Sequence, residues 1–207
     1  MKKSVYTRPA KPMFVSVQHR DSSSGRGMDF GKAKIEEPLI IDKASECHVT
    51  PMDVARRMVE YLGQGGDYNT LEPSAGTGAL VSALLASGHS RSEICAVERH
   101  HKLADHVARL GVPVVQNSFL EYAAEVKGKV AFSRIIMNPP FSKVRQHIKA
   151  ALSLMGQDGF DEPAVLVALV PITFEHDGAE VLETLPEDTF STCRVRTKII
   201  RIERHQD

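Results

Sequence analysis

An amide, two prolines and an aromatic ring stand in a row at Asn138-Pro139-Pro140-Phe141, directly after the apolar run Ile135-Ile136-Met137. The prolines fix φ and remove two donors, so the segment predicts a rigid corner at the end of a strand. A simple turn with Phe141 packed as core accounts for the prolines. It does not account for the amide before the corner or the aromatic after it. A chemical role accounts for both. The Asn138 side chain and the Pro139 carbonyl can accept hydrogen bonds from an amino group, leaving its nitrogen lone pair directed at a methyl donor. Phe141 offers a face on which a base can stack. An amine conjugated to a ring is a poor nucleophile, so alignment and electrostatics must supply much of the catalysis. A target base inside a duplex would first have to be flipped out.

A second candidate is Glu72-Pro73-Ser74-Ala75-Gly76-Thr77-Gly78. Gly76 and Gly78 permit a tight turn and a close approach of backbone to a ligand. Such a turn alone occurs in many nucleotide-binding folds. No GxxxxGK[ST] arrangement is present, which argues against a nucleotide triphosphatase. Val81 stands where the dinucleotide fingerprint has its third small residue. Glu98, at the end of the next strand candidate, can accept two hydrogen bonds from a ribose diol and would repel a phosphate. A solvated charge at a strand end is the plainer reading of Glu98 taken alone.

These residues need a frame. Thr50-Pro51-Met52-Asp53 predicts a helix start with Thr50 as N-cap, and Val54, Met58 and Leu62 share a face before Gly63, Gly65 and Gly66. Strands are expected at 68–72, 94–98, 112–116, 132–137 and 164–170. Helices are expected at 79–86, about 101–110 and about 143–155. The alternation predicts an α/β fold: a mostly parallel central sheet with helices on both faces. Over 194–204, Arg194, Arg196 and Lys198 share parity with Ile200 and Ile202. We therefore expect an edge, a bulge or a late strand start there, with an antiparallel strand near the C-terminus.

Composition narrows the classes. The chain has 207 residues and 42% hydrophobic residues, enough for one α/β domain with an appendage. It contains no apolar run of bilayer length, and the basic N-terminus is not followed by a secretory apolar stretch. A cytoplasmic protein without membrane association is expected. Cys47, Cys95 and Cys193 are widely separated, so neither a disulfide nor a metal site is expected. Formal net charge is zero, so any nucleic-acid binding must come from local patches. Residues 1–45 form a basic arm, with Lys2, Lys3, Arg8, Lys11, Arg20 and Arg26, expected to be flexible until something binds it. Residues 46–207 are expected to form the main folded domain, which the resemblance given below implies is catalytic. Lys143, Arg145, His147 and Lys149 are candidates for phosphate contact, although alternate residues do not share one helical face.

Together the glycine loop, Glu98 and Asn138-Pro139-Pro140-Phe141 resemble the class I methyltransferases, whose fold is Rossmann-like. In particular they resemble the gamma-type DNA adenine-N6 methyltransferases. His48-Val49-Thr50-Pro51 resembles that family's first motif, Gly159 with Val165 to Pro171 its next core strand, and Leu185-Pro186-Glu187-Asp188-Thr189-Phe190 its closing segment. The resemblance covers about residues 48–204. It implies S-adenosyl-L-methionine as cofactor, held by Thr50, Glu72, Ser74, Ala75, Gly76, Gly78, Glu98, Ser118 and Phe119. It implies catalysis by Asn138, Pro139, Pro140 and Phe141, and N6 of adenine in DNA as target. Ser118 stands where the family carries an aspartate near the cofactor's adenine. A sequence-reading domain, usual in that family, is not evident. Site choice would then rest on short loops, the basic arm or a protein partner. Two alternatives stand beside this reading: a guanine or adenine methyltransferase acting on RNA, and a catalytically silent binding module that kept the fold.

Overall fold

A computed structural model describes residues 49–157, 159–190 and 194–205. The arm at 1–45, and with it His48, Cys47 and Cys193, lies outside the described residues.

The chain begins with helix α1 (Met52–Leu62), then strand β1 (Thr70–Glu72), α2 (Ala79–Ala86), β2 (Ile94–Val97) and α3 (His101–Ala108). It continues through β3 (Val114–Val115), α4 (Phe119–Val126) and β4 (Arg134–Met137). A short 3₁₀ turn at Phe141–Lys143 leads into α5 (Val144–Leu154), followed by β5 (Ala164–Pro171), β6 (Ala179–Leu185) and β7 (Thr197–Arg204). The seven strands form one sheet in the order β3-β2-β1-β4-β5-β7-β6. Five run parallel, and β7 inserts antiparallel between β5 and β6. The expected α/β class and antiparallel C-terminal strand are both present.

Alternation along the strands sends side chains to two cores. Val165, Val167 and Leu169 of β5 join α1, α2 and Val107 of α3 on one face. Leu166, Ala168 and Val170 join α4 and α5 on the other. A strand buried on both faces reads as an unbroken apolar run, which is why 164–170 stood out in the sequence.

Several expected boundaries move. Thr50 is not the N-cap of α1. Pro51 occupies that position, with no side-chain cap bond, and its carbonyl accepts from Ala55 N at 2.9 Å. The third strand shrinks to Val114–Val115. Pro113 has no N–H for the ladder, and its carbonyl instead accepts from Ala96 N at 2.9 Å. The strand over 194–204 starts late, at Thr197, and is interior. The bulge lies in its neighbour, between Val181 and Glu183 of β6, which occupies the edge.

Two anchors set the frame around the site. Arg57 Nε of α1 donates to Glu183 Oε2 of β6 at 3.0 Å, and Tyr61 donates to the same oxygen at 3.3 Å. Asn69, just before β1, accepts from Ser133 N at 3.1 Å and donates through Nδ2 to Ala131 O at 2.6 Å, tying β1 to the approach of β4. None of the described helices is long and apolar enough to cross a membrane.

Candidate active site

Strands β1 and β4 are parallel neighbours, with Thr70 opposite Arg134 and Leu71 opposite Ile135. The glycine loop leaves the carboxyl end of β1, and Asn138-Pro139-Pro140-Phe141 leaves the carboxyl end of β4. Both therefore open on the sheet edge where α/β folds bind ligands.

The glycine loop is closed from within and tied to β2. Ala75 N donates to Val97 O at 3.0 Å, and Gly78 N to Ala75 O at 2.7 Å. Gly76 and Gly78 sit at φ +51° and +80°, a region that disfavours any residue with a Cβ. A Cβ on Gly78 would also lie 3.0 Å from Leu110 Cδ1. Thus the second glycine of the motif serves backbone conformation and packing together.

Two carboxylates frame this loop. Glu98 is buried. Its Oε2 accepts from Gly76 N at 2.8 Å and its Oε1 from His100 N at 2.8 Å, bridging the glycine loop and the start of α3. Each oxygen keeps a further lone pair, so the bridge is compatible with the expected diol contact. Glu72 is fully buried. Its Oε1 accepts from Ser74 N at 3.2 Å, while its Oε2 has no hydrogen-bond partner among the described residues. Burial pushes the Glu72 carboxyl well above its ordinary range. The Ser74 bond opposes that shift, and the nearby Glu98 charge adds to it.

The catalytic loop is held by residues far away in sequence. Pro139 is buried, and Asn138 is half-buried. Asn138 Nδ2 donates to Thr50 Oγ1 at 3.0 Å, and Thr50 is itself buried. Phe141 packs against the α1 core and makes an edge-type contact with the buried Phe190 ring, at a centroid distance of 5.9 Å and an interplanar angle of 75°. The contact of Phe141 with core and its exposed portion coexist, so the two readings of this ring are not exclusive. Lys143 N donates to Pro140 O at 3.0 Å and starts the turn into α5.

Ser118 and Phe119 stand apart from this network. Ser118 is the N-cap residue of α4 at the carboxyl end of β3. Its N donates to Asn117 Oδ1 at 2.7 Å, and its side chain makes no capping bond. Phe119 is buried against α5, 5.5 Å from the His147 ring. His147 is also buried, which removes it from the expected phosphate-contacting set. Desolvation, then repulsion from Lys143 and Arg99, lowers its pKa to about 4. Lys143, Arg145 and Lys149 remain exposed, with Arg145 lying over the Phe174 ring at 5.5 Å.

Two contacts of the site were not read from the sequence. Phe190 was noted only as part of a closing segment, and nothing local signals that its ring meets Phe141. The Thr50–Asn138 bond joins residues 88 positions apart, whereas the Ser/Thr cap preference suggested a local role for Thr50 and the family resemblance a cofactor contact.

Comparison with known proteins gives the fold an independent footing. No family model matches the chain, and no curated protein is significantly similar to it. Solved structures are. The 23S rRNA methyltransferase ErmE superposes with a TM-score of 0.60 at 15% identity, covering 78% of this chain and 71% of that one. A modification subunit of a putative type I restriction enzyme from Vibrio vulnificus gives 0.62 at 16% identity, covering 78% of this chain but only 45% of the subunit. A putative RNA methyltransferase from Pyrococcus horikoshii gives 0.54 at 20% identity, covering 76% and 84%. The chain has the Rossmann-like α/β fold of these methyltransferases.

Proposed function

We propose that the protein is an S-adenosyl-L-methionine-dependent methyltransferase acting on an exocyclic amino group of a nucleic-acid base, with N6 of adenine in DNA as its target. The observation that carries the proposal is the pairing of β1 with β4. It sets an amide-proline-proline-aromatic corner beside a glycine loop at one sheet edge.

The residues of the loop fit the cofactor. Positive φ at Gly76 and Gly78 opens a backbone cradle, Glu98 supplies acceptors for a ribose diol, and Glu72 Oε2 is a buried polar atom without a partner among the described residues. Ser74, Ala75, Ser118 and Phe119 complete the proposed binding set. When bound, the cofactor supplies a methyl group activated by a sulfonium. This chain's residues do the rest. Asn138 Oδ1 and the Pro139 carbonyl accept the two N–H bonds of the target amine and orient its lone pair. Phe141 stacks on the base, and Pro140 keeps the corner rigid. Donor-acceptor alignment in a partly desolvated site is the main source of rate.

A reading with RNA as substrate has its own support, since two of the similar structures are named as RNA methyltransferases. The Glu72-Pro73-Ser74-Ala75 start of the loop favours DNA. One similar structure is named as a modification subunit, which is in keeping with a protein partner for this chain, proposed here to supply sequence recognition. The exposed Lys143, Arg145 and Lys149, with the basic arm at 1–45, are proposed to grip the phosphate backbone.

The deciding experiment incubates the chain with tritiated S-adenosylmethionine and separate DNA, RNA and protein samples, then digests labelled nucleic acid to nucleosides. Label in N6-methyldeoxyadenosine supports the proposal. Label in a ribonucleoside moves the target to RNA. Cofactor binding with no transfer to any sample would leave a binding module that kept the fold.

A further inference from the structure

The Asn138 amide has two ends of similar size and opposite character. Half a turn about its terminal torsion replaces an acceptor with a donor, and a donor would repel an incoming amine. Pro139 and Pro140 restrict the backbone of the corner but leave this torsion untouched. The Thr50 hydroxyl does engage it, through Asn138 Nδ2 at 3.0 Å. A hydroxyl can accept from the nitrogen end or donate to the oxygen end, so this bond pins the amide in place; in the orientation seen here Nδ2 meets Thr50 and the oxygen end is the acceptor. Thr50 is a firm point of attachment because it is 7% exposed and leads directly into α1. That helix is fixed to the core by Val54, Ala55 and Met58, and to β6 by Arg57.

We infer that Thr50 is a positioning residue: its hydroxyl holds the Asn138 amide with its oxygen end set to receive the target amino group. This rests on the function proposed above. It assigns Thr50 to the substrate side of the chemistry, not to the cofactor.

The test uses the full-length chain and the variants Thr50→Val, which keeps the shape and loses the hydroxyl, and Thr50→Ser, which restores it. Thr50→Ala replaces the valine variant if that one fails to fold. The first readout is the Asn138 side-chain NH₂ pair in a nitrogen-edited NMR spectrum, identified by its disappearance in Asn138→Asp. The pair should shift and exchange faster with water in Thr50→Val and return to its place in Thr50→Ser. The second readout separates kcat from binding. Thr50→Val should lower kcat roughly 10- to 100-fold, as expected for one lost buried bond, with the cofactor Kd unchanged. In an Asn138→Ala background it should have no further effect.

An unmoved NH₂ pair in Thr50→Val overturns the inference. So does a weakened cofactor Kd with kcat unchanged, which would return Thr50 to the cofactor. If the unaltered chain methylates neither DNA nor RNA, the proposed function fails, and the NH₂ resonances still decide whether Thr50 holds the amide.

Discussion

Glu98 Oε2 receives the backbone N–H of Gly76 at 2.8 Å, across 22 residues of sequence. The carboxylate is therefore already part of the loop's architecture before any ligand is considered. Its other oxygen receives His100 N, so one side chain spans from the glycine turn to the start of α3.

Glu98→Gln tests that dual role. The amide keeps one acceptor oxygen but turns an NH₂ toward a backbone N–H. Losing a charge-assisted bond costs about 1.5–3 kcal/mol. We expect cofactor affinity, measured by titration calorimetry, to fall at least about tenfold, together with a lower melting temperature. Unchanged affinity would remove Glu98 from the cofactor site.

Asn138→Ala should separate chemistry from binding. Removing one preorganised polar group from a reacting centre costs roughly 10²–10³ in kcat. We expect methyl transfer to collapse while the calorimetric cofactor affinity stays near that of the unaltered chain. Equal loss of both would mean the catalytic loop is misassigned.

Gly78→Ala addresses the turn itself. The new methyl would sit at φ +80°, against Leu110 at 3.0 Å. The left-handed backbone alone costs about 1–2 kcal/mol, so thermal denaturation should shift down by several degrees. An unchanged melting temperature would show that the loop relaxes freely.

His147 makes stability depend on pH. Its pKa in the folded chain is about 4 against an ordinary 6.5, so the unfolded chain takes up the proton first as pH falls. The stabilising contribution is thus fully present above about 6.5 and is lost progressively down to about 4. His147→Phe keeps a ring against Phe119 and cannot titrate. Its melting temperature should gain on that of the unaltered chain as pH drops through this window. Parallel curves would contradict the burial of a neutral imidazole.

What could be read in advance followed physical locality. The bounds of α2, 79–86, and the doubly buried β5 carry their signal in adjacent residues, as does the corner at Asn138-Pro139-Pro140-Phe141. Strand β6 was missed. Its exposed residues mix Glu180 and Thr184 with the apolar Val181, and the bulge between Val181 and Glu183 breaks the period-2 pattern that would have announced it. Helix α4 was missed as well, lying hidden behind a two-residue strand. Thr50 was misread as a cap because its actual partner is distant in sequence. The polar residues of the expected site were recognisable by type, while their mutual bonds depended on which strands became neighbours.

Asn69 marks the opposite end of β1 from the glycine turn, and its bonds to Ser133 and Ala131 close the gap between two chain segments some sixty residues apart. Slipping β1 by one position against β4 would displace one loop past the other by about 3.3 Å and exchange the faces of every side chain on the strand. A residue at the foot of the sheet, through its main-chain carbonyl and its side-chain amide, thus serves as the datum for spacing at its head. Substitutions there would alter the alignment of two reactants without touching either, and would be mistaken for defects of the corner itself.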